Sequence, residues 1–195
     1  RKDALEIADL FRTVSDLRRY KRVVLVSTID VYGLKEPRRE GDIRDAETPY
    51  GINRRELETR MLERFEDKLW IVRLPSIFGP GMKKNLIFDL MNGKQIEPIN
   101  LASTQQWYDM RDFCSDLVSS IASGYKERNL FTEPISNGDL LSIFEDGVHR
   151  TVFSDPSSAK LYDHRTIVTQ SGYWQSDKKR VISKIKDFIK QGQTE

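Results

Sequence analysis

Two short apolar runs with one amphipathic stretch between them constrain this chain more than anything else in it. The first run is Val23-Val-Leu-Val-Ser-Thr28 and the second is Leu69-Trp-Ile-Val-Arg-Leu74. Both are too short for a buried helix. Near-continuous runs of this kind suit strands covered on both faces of a parallel sheet. Between them the spacing predicts a helix from about Tyr50 to Phe65, with Tyr50, Arg54, Leu57, Met61 and Phe65 turned inward. Strand, helix, strand makes a βαβ unit. Ligands of open α/β sheets bind at the carboxyl ends of the strands, and polar groups follow both runs there.

The rest of the chain is consistent with one domain, or one with a small appendage, since 195 residues can bury a real core. The formal charge is +2, from 32 basic and 30 acidic residues. That balance gives no reason to expect nucleic acid or a charged membrane surface as partner. A single cysteine, Cys114, excludes an internal disulfide and points to a reducing compartment. No apolar run approaches the ~20 residues needed to span a bilayer, and no signal peptide is visible. A soluble, cytoplasmic protein is expected. The sequence opens on Arg1 rather than methionine, which fits processing or a beginning that lies upstream.

Further elements follow from pattern. Residues 3 to 19 read as a helix, and residues 34 to 48, polar with Pro37 and Gly41, as a surface loop. Asn85 to Asn92 reads as a short helix closed by Gly93, and 112 to 123 as a helix with Phe113, Leu117, Val118 and Ile121 on one face. Short strands are expected at Ile96 to Ile99, Gln106 to Tyr108 and Asn129 to Thr132. Ser136 is expected to cap a helix reaching Phe144, and Ser176 a last helix with Val181, Ile182, Ile185, Phe188 and Ile189 on its apolar face. Residues 146 to 172 carry no readable pattern. His149 and His164 lie far apart with no paired cysteine or acidic cluster, so no metal site is expected. Cys114, beside Phe113, reads as packed, and Trp70 as core.

Thr28, Tyr50 and Arg54 are the candidate chemistry. Thr28 ends a strand, where its hydroxyl can face a cleft. Tyr50 and Arg54 are four apart and share a helix face. A cation beside a phenol favours its ionised form, which suits such a tyrosine to exchanging a proton with a substrate hydroxyl or carbonyl. The same spacing also fits a packed ring beside a solvated charge.

The combination narrows the choice. Val24-Leu-Val-Ser-Thr-Ile-Asp-Val-Tyr-Gly33, Pro49-Tyr-Gly-Ile-Asn-Arg54 and Val72-Arg-Leu-Pro-Ser-Ile-Phe-Gly-Pro-Gly81 come in this order at suitable spacing. Together they resemble the extended short-chain dehydrogenase/reductases, the NAD-dependent epimerase/dehydratase family of nucleotide-sugar enzymes. Thr28 matches the family's Ser/Thr four residues before the tyrosine of its Val-Tyr-Gly. Tyr50 and Arg54 match its Tyr-x-x-x-Lys pair, with arginine in place of lysine. Arg73, Gly79 and Pro80 match its Arg-x-x-x-x-x-Gly-Pro pattern. The resemblance is specific over residues 20 to 92, looser over 104 to 145, and is not traceable through 146 to 172.

The resemblance implies a Rossmann-like parallel α/β sheet, incomplete at its N-terminal side, with a small α+β substrate-side region. Residues 1–82 would hold the end of the Rossmann-like domain with the Thr/Tyr/Arg site, and 83–195 the mixed substrate-binding region. It implies an epimerase or reductase using NAD or NADP on a nucleotide sugar, serving polysaccharide assembly. Thr28, Tyr50 and Arg54 would be catalytic. Ser27, Tyr50, Arg54, Pro75 and Ile77 would line the cofactor, and Asp30, Lys84, Asn85 and Trp107 the substrate. Lys83-Lys84 reads equally as a solvated helix start, and Trp107 also as core packing. A homodimer through the helices at 3 to 19 and 50 to 65 is a further implication.

Some positions depart from the family pattern. Dehydratases have two acids after the Ser/Thr, where this chain has Ile29 and Asp30, which favours an epimerase or reductase. Gln105 stands at or near the family's diphosphate-binding arginine. The Gly-x-x-Gly-x-x-Gly turn that holds a cofactor pyrophosphate occurs nowhere in the sequence. The resemblance therefore starts inside the domain, and a non-catalytic relative acting as a binding or interaction module is the other reading.

Overall fold

The structure, a computed structural model, describes residues 17, 19–94, 98–144, 151–167 and 172–192. In chain order its elements are β1 (Val23–Thr28), α1 (Pro49–Phe65), β2 (Leu69–Leu74), β3 (Ser76–Phe78), α2 (Leu86–Met91), β4 (Ile99–Asn100) and β5 (Thr104–Gln105). There follow β6 (Trp107–Asp109), α3 (Phe113–Ala122), β7 (Glu127–Asn129), β8 (Ile135–Ser136), α4 (Asn137–Leu141), β9 (Val152–Phe153) and α5 (Lys178–Gly192).

The two apolar runs are parallel neighbours, with Val23 opposite Leu69 and Thr28 opposite Leu74. A parallel pair needs a long crossover, and α1 supplies it. All six residues of β2 are buried, because β7 pairs with its other edge in parallel, Ile71 opposite Glu127. The region beyond residue 82 thus returns a strand to the sheet. The order β1-β2-β7 leaves β1 with one neighbour among the described residues. Smaller two-stranded pairs, β3 with β6, β4 with β9 and antiparallel β5 with β8, build the other half.

Helix α1 starts where Thr48 Oγ1 accepts the Gly51 N–H at 3.0 Å, with Pro49 in the first turn. Leu57, Met61 and Phe65 face inward as expected, packing on Val23, Leu69 and Ile71. Tyr50 and Arg54 do not: Tyr50 is 50 % exposed and Arg54 half-buried, while Glu58 is fully buried. The reason is the crossover geometry. The first turn of α1 packs beside the loop that follows β1, past the end of the sheet, so no apolar layer among the described residues covers it. Glu58 lies deeper and meets a buried arginine.

In the other half, α5 buries Val181, Ile185, Phe188 and Ile189 against Phe78, Ile87, Trp107, Ile135 and Leu140. The Ser176 carbonyl accepts the Glu133 N–H at 2.9 Å, and the helix starts at Lys178. Asp177 takes the capping role, accepting the Arg180 N–H at 2.8 Å. Ser136 caps α4 as expected, through the Asp139 N–H, but that helix ends at Leu141. Helix α3 packs Phe113 and Leu117 against Val72, Leu74, Tyr108 and Leu130. Cys114 and Val118 each lie one residue further round, about 100° away, and both are exposed, contrary to the packed positions expected. The strand expected at 129 to 132 lies earlier, at Glu127–Asn129. The helix expected at 3 to 19 and the strand start at Ile96 fall largely outside the described residues. No described helix is long and apolar enough to cross a membrane.

Candidate active site at the carboxyl edge of the sheet

At the end of β1 the chain enters a single 3-10 turn, Ile29–Val31, which Thr28 caps. Thr28 Oγ1 accepts the Asp30 N–H at 3.3 Å and donates to Asp30 Oδ2 at 2.9 Å. Asp30 Oδ1 accepts the Tyr162 O–H at 3.0 Å. The first turn of α1 presses on this loop. A Cβ on Gly51 would sit 2.0 Å from the Asp30 carbonyl oxygen, so only glycine permits the approach. Tyr50 is the residue before that contact, and the Arg54 guanidinium carbon lies 5.3 Å from its ring centre. Thr28, Asp30, Tyr50 and Arg54 therefore gather at one edge, where Tyr50 meets solvent.

The other expected site residues divide. Ile77 is exposed beside this edge, whereas Pro75 is buried and Ser27 is turned inward, at 6 % exposure. Lys84 is exposed. Asn85 is engaged in the fold: its Oδ1 accepts the Phe88 N–H at 3.1 Å, capping α2, and its Nδ2 donates to the Ile77 carbonyl at 2.7 Å. It holds φ at +114°, a left-handed value rare outside glycine. Ser76 Oγ donates to Gln105 Oε1 at 3.4 Å. Trp107 is 1 % exposed inside the α5 core, so it supplies packing and not a surface on which a sugar could stack. A polar cavity of 170 Å³ between β6, α3 and α5 is lined by Trp107, Asp109, Asp112, Asp116 and Lys184, and by none of Thr28, Tyr50 and Arg54.

A buried ionic cluster lies beneath the edge. Arg73 and Glu58, both with side chains of zero exposure, form a two-bonded pair: Nη2 to Oε2 at 2.7 Å and Nε to Oε1 at 2.9 Å. Arg73 Nη2 also donates to Glu127 Oε2 at 2.7 Å, and Nη1 to the Tyr32 hydroxyl oxygen at 2.9 Å. Arg44 Nη1 reaches Glu58 Oε2 at 3.0 Å. Burial by itself would raise the Glu58 pKa, but the hydrogen bonds and charge of Arg73 hold it below the ordinary value. Burial pushes the Tyr32 phenol up to about 12, against the charge of Arg73. The cluster ties α1, β2, β7 and the Tyr32 loop together. Its signal in the sequence is an arginine inside an otherwise apolar strand.

The loop of residues 34 to 48 is less superficial than its composition suggests. Glu40 is buried, and its carboxylate accepts the Asn129 N–H at 2.6 Å, the Thr166 hydroxyl at 2.7 Å and the Ile167 N–H at 2.9 Å. His164, 1 % exposed, accepts the Arg38 N–H on Nδ1 at 3.0 Å. Burial lowers its pKa from 6.5 to about 4. A base whose folded pKa is depressed contributes stability that is full above its unfolded pKa and is lost as pH falls toward the folded one. Unfolding titrations are therefore expected to show stability falling between pH 6.5 and 4, by about 3 kcal/mol in all from this group. His164→Gln should remove that loss, and an unchanged pH dependence in the variant would exclude His164 as its source. His149 lies outside the described residues, among which no group of three metal-capable side chains occurs.

No family model matches the sequence, and no curated protein matches it. Solved structures match the fold. Over 96 % of this chain and 67 % of the other, it superposes on a UDP-N-acetylglucosamine 4-epimerase from Methanobrevibacter ruminantium, solved with UDP-N-acetylmuramic acid, at a TM-score of 0.72 and 16 % identity. A UDP-glucose 4-epimerase from Thermotoga maritima, solved with UDP-glucose, gives a TM-score of 0.69 at 12 % identity, over 92 % of this chain and 66 % of the other. A UDP-glucuronic acid 4-epimerase from Bacillus cereus, with UDP-glucuronic acid and NAD, gives 0.66 at 17 %, over 91 % and 65 %. The architecture is thus a Rossmann-like α/β fold. It is the fold of the NAD-dependent nucleotide-sugar epimerases and dehydratases, and this chain spans about two thirds of the length of those structures.

Proposed function

We propose that this chain carries the acid/base and substrate-side residues of an NAD(P)-dependent nucleotide-sugar epimerase or reductase. The observation that carries the reading is the contact of Gly51 with the Asp30 carbonyl, which brings the start of α1 to the loop of Thr28. Tyr50 holds or takes the proton of a substrate oxygen, and Thr28 orients that oxygen. Arg54, stacked on the Tyr50 ring, keeps a positive charge beside the phenol. When bound, the nicotinamide supplies hydride exchange with a sugar carbon. Tyr50, Arg54 and Ile77 border open surface and suit the nicotinamide end of the cofactor. Nothing in the 195 residues matches the glycine turn that cradles a pyrophosphate. UDP-sugars in the solved structures of this fold support the substrate class. A cytoplasmic location, the division of labour at residue 82 and a homodimer through α1 and the segment 3 to 19 belong to the same proposal.

A second reading is suggested by the lack of a glycine turn within these 195 residues and by the single neighbour of β1 among the described residues: a non-catalytic relative that binds a partner. Titration of NADH and NADPH separates the two, read by energy transfer from the three tryptophans. Saturable transfer with a Kd near 1 μM, about −8 kcal/mol, is the result expected of the enzyme. No transfer at millimolar cofactor would mean that these 195 residues alone are not a dehydrogenase.

A further inference from the structure

The polar cavity between β6, α3 and α5 holds groups that the fold leaves without partners. Its 170 Å³ is enough for several waters or one small molecule. Three carboxylates line it, and two are neutralised in place. Arg111 forks Asp109, with Nη2 to Oδ2 at 2.6 Å and Nε to Oδ1 at 2.9 Å, and the Lys184 ammonium pairs with Asp112. Asp116 is different. Its oxygens accept the Tyr108 O–H at 2.7 Å and the Gln175 amide N–H at 3.3 Å, both neutral donors, and it forms no ion pair among the described residues. Arg128, whose charge Asp116 feels, donates to Gln175 Oε1 at 2.8 Å instead. From α5, Arg180 lines the same cavity; it is exposed and makes no ion pair among the described residues. Two further donors are stranded there. The Trp107 indole N–H and the Ser176 hydroxyl are buried with no hydrogen-bond partner among the described residues, and Trp107 as a whole is 1 % exposed. Buried donors in native proteins nearly always meet an acceptor, whether protein, water or ligand.

We propose that this cavity binds a free α-amino acid, with its carboxylate on Arg180, Ser176 and Trp107 and its ammonium on Asp116. A guanidinium with two neutral donors suits a carboxylate. An ionised aspartate only accepts, and it keeps lone pairs beyond those that Tyr108 and Gln175 use, which suits an ammonium. A simple anion would set a like charge before Asp116, and a simple cation would do the same to Arg180. A zwitterion answers both. A metal ion is not the occupant that these acids describe, since no group of three metal-capable side chains occurs among the described residues. The inference does not rest on the proposed function, because none of Thr28, Tyr50 and Arg54 lines this cavity.

The test uses L-alanine, L-lactate and L-alaninamide, three molecules of nearly one size. Lactate exchanges the ammonium for a hydroxyl, and alaninamide exchanges the carboxylate for a neutral amide. Their Kd values are measured by calorimetry on the full chain, and the indole N–H signals of the three tryptophans are followed by NMR. L-alanine is expected to saturate at low millimolar concentration or below. Each analogue should bind at least about tenfold more weakly, the worth of one charge-assisted hydrogen bond. The Trp107 signal should move as its N–H gains an acceptor. Arg180→Gln changes an exposed side chain outside the core, so the fold should stand. It should weaken L-alanine about tenfold and erase the advantage over alaninamide while keeping that over lactate. Asp116→Asn should do the reverse, and should it fail to fold for want of the Tyr108 bond, Arg180→Gln decides by itself. No saturable binding of L-alanine at tens of millimolar, equal affinity for all three molecules, or unchanged affinity in Arg180→Gln would overturn the inference. Each of these results leaves the proposed function standing.

Discussion

Arg73→Met is expected to cost about 3–5 kcal/mol of stability at pH 7, the usual consequence of stranding a buried charge by deleting its partner. The stranded group is the Glu58 carboxylate, wholly buried and left with Arg44 as its remaining cation. Glu127 loses its 2.7 Å bond to the guanidinium, and Tyr32 and Asn129 lose a shared donor. A loss of this size is a large part of the 5–15 kcal/mol that holds a domain together. Arg73→Lys should fall between, since an ammonium keeps the charge but cannot make the two-bonded fork. The double variant Arg73→Met with Glu58→Gln should recover part of the loss by removing the uncompensated charge. The pH dependence has a defined sign. Glu58 is held below its ordinary pKa in the wild type, so its contribution is full above the unfolded value near 4.5 and fades as pH falls through the folded one. The gap between wild type and Arg73→Met should therefore narrow on acidification below about pH 4.5. Urea denaturation of both proteins at each pH measures it: a gap that is small at pH 7 would show that the cluster contributes little, and a gap constant with pH would show that the Glu58 charge is not its source.

That cluster also marks where the sequence was legible and where it was not. The βαβ unit is plain in the two six-residue runs and in the 3.6-residue recurrence of Leu57, Met61 and Phe65, because burial on a sheet imposes those periods directly. Glu58 and Arg73 break the apolar pattern, and single-sequence periodicity has no way to pair two charges fifteen residues apart across a helix and a strand. The inward positions assigned to Tyr50 and Arg54 extend the helical stripe past the end of the sheet, where nothing among the described residues covers it. Of the candidate site, Thr28, Tyr50 and Arg54 are readable from motif order and do lie along one edge. Trp107 was ambiguous for the reason aromatic residues usually are, and the core claims it. Tyr162, Glu40 and His164 act through long-range hydrogen bonds from irregular backbone. No local pattern announces a loop whose order comes from partners up to 132 residues away.

Tyr50→Phe should separate chemistry from fold. The phenol oxygen lies on a half-exposed side chain in the first turn of α1, and the ring contact with Arg54 does not need it. Stability is therefore expected to stay within about 0.5 kcal/mol of wild type, as for surface changes away from buried features. In the proposed reaction, turnover of the nucleotide sugar with its nicotinamide cofactor should fall by about two to four orders of magnitude, the typical worth of a positioned acid/base group. Thr28→Val gives a contrast from the same edge. It removes the hydroxyl that caps the Ile29–Val31 turn and satisfies Asp30, so it should weaken the fold as well as the reaction. Arg54→Lys would return a compact ammonium to the helix position one turn from Tyr50, and activity retained in that variant would mean that charge, more than the planar fork, is what the site uses. The thermal midpoint and the turnover rate of each variant decide the matter together. Turnover retained in Tyr50→Phe would remove this residue from the reaction, and with it the assignment that the Gly51 contact with Asp30 supports.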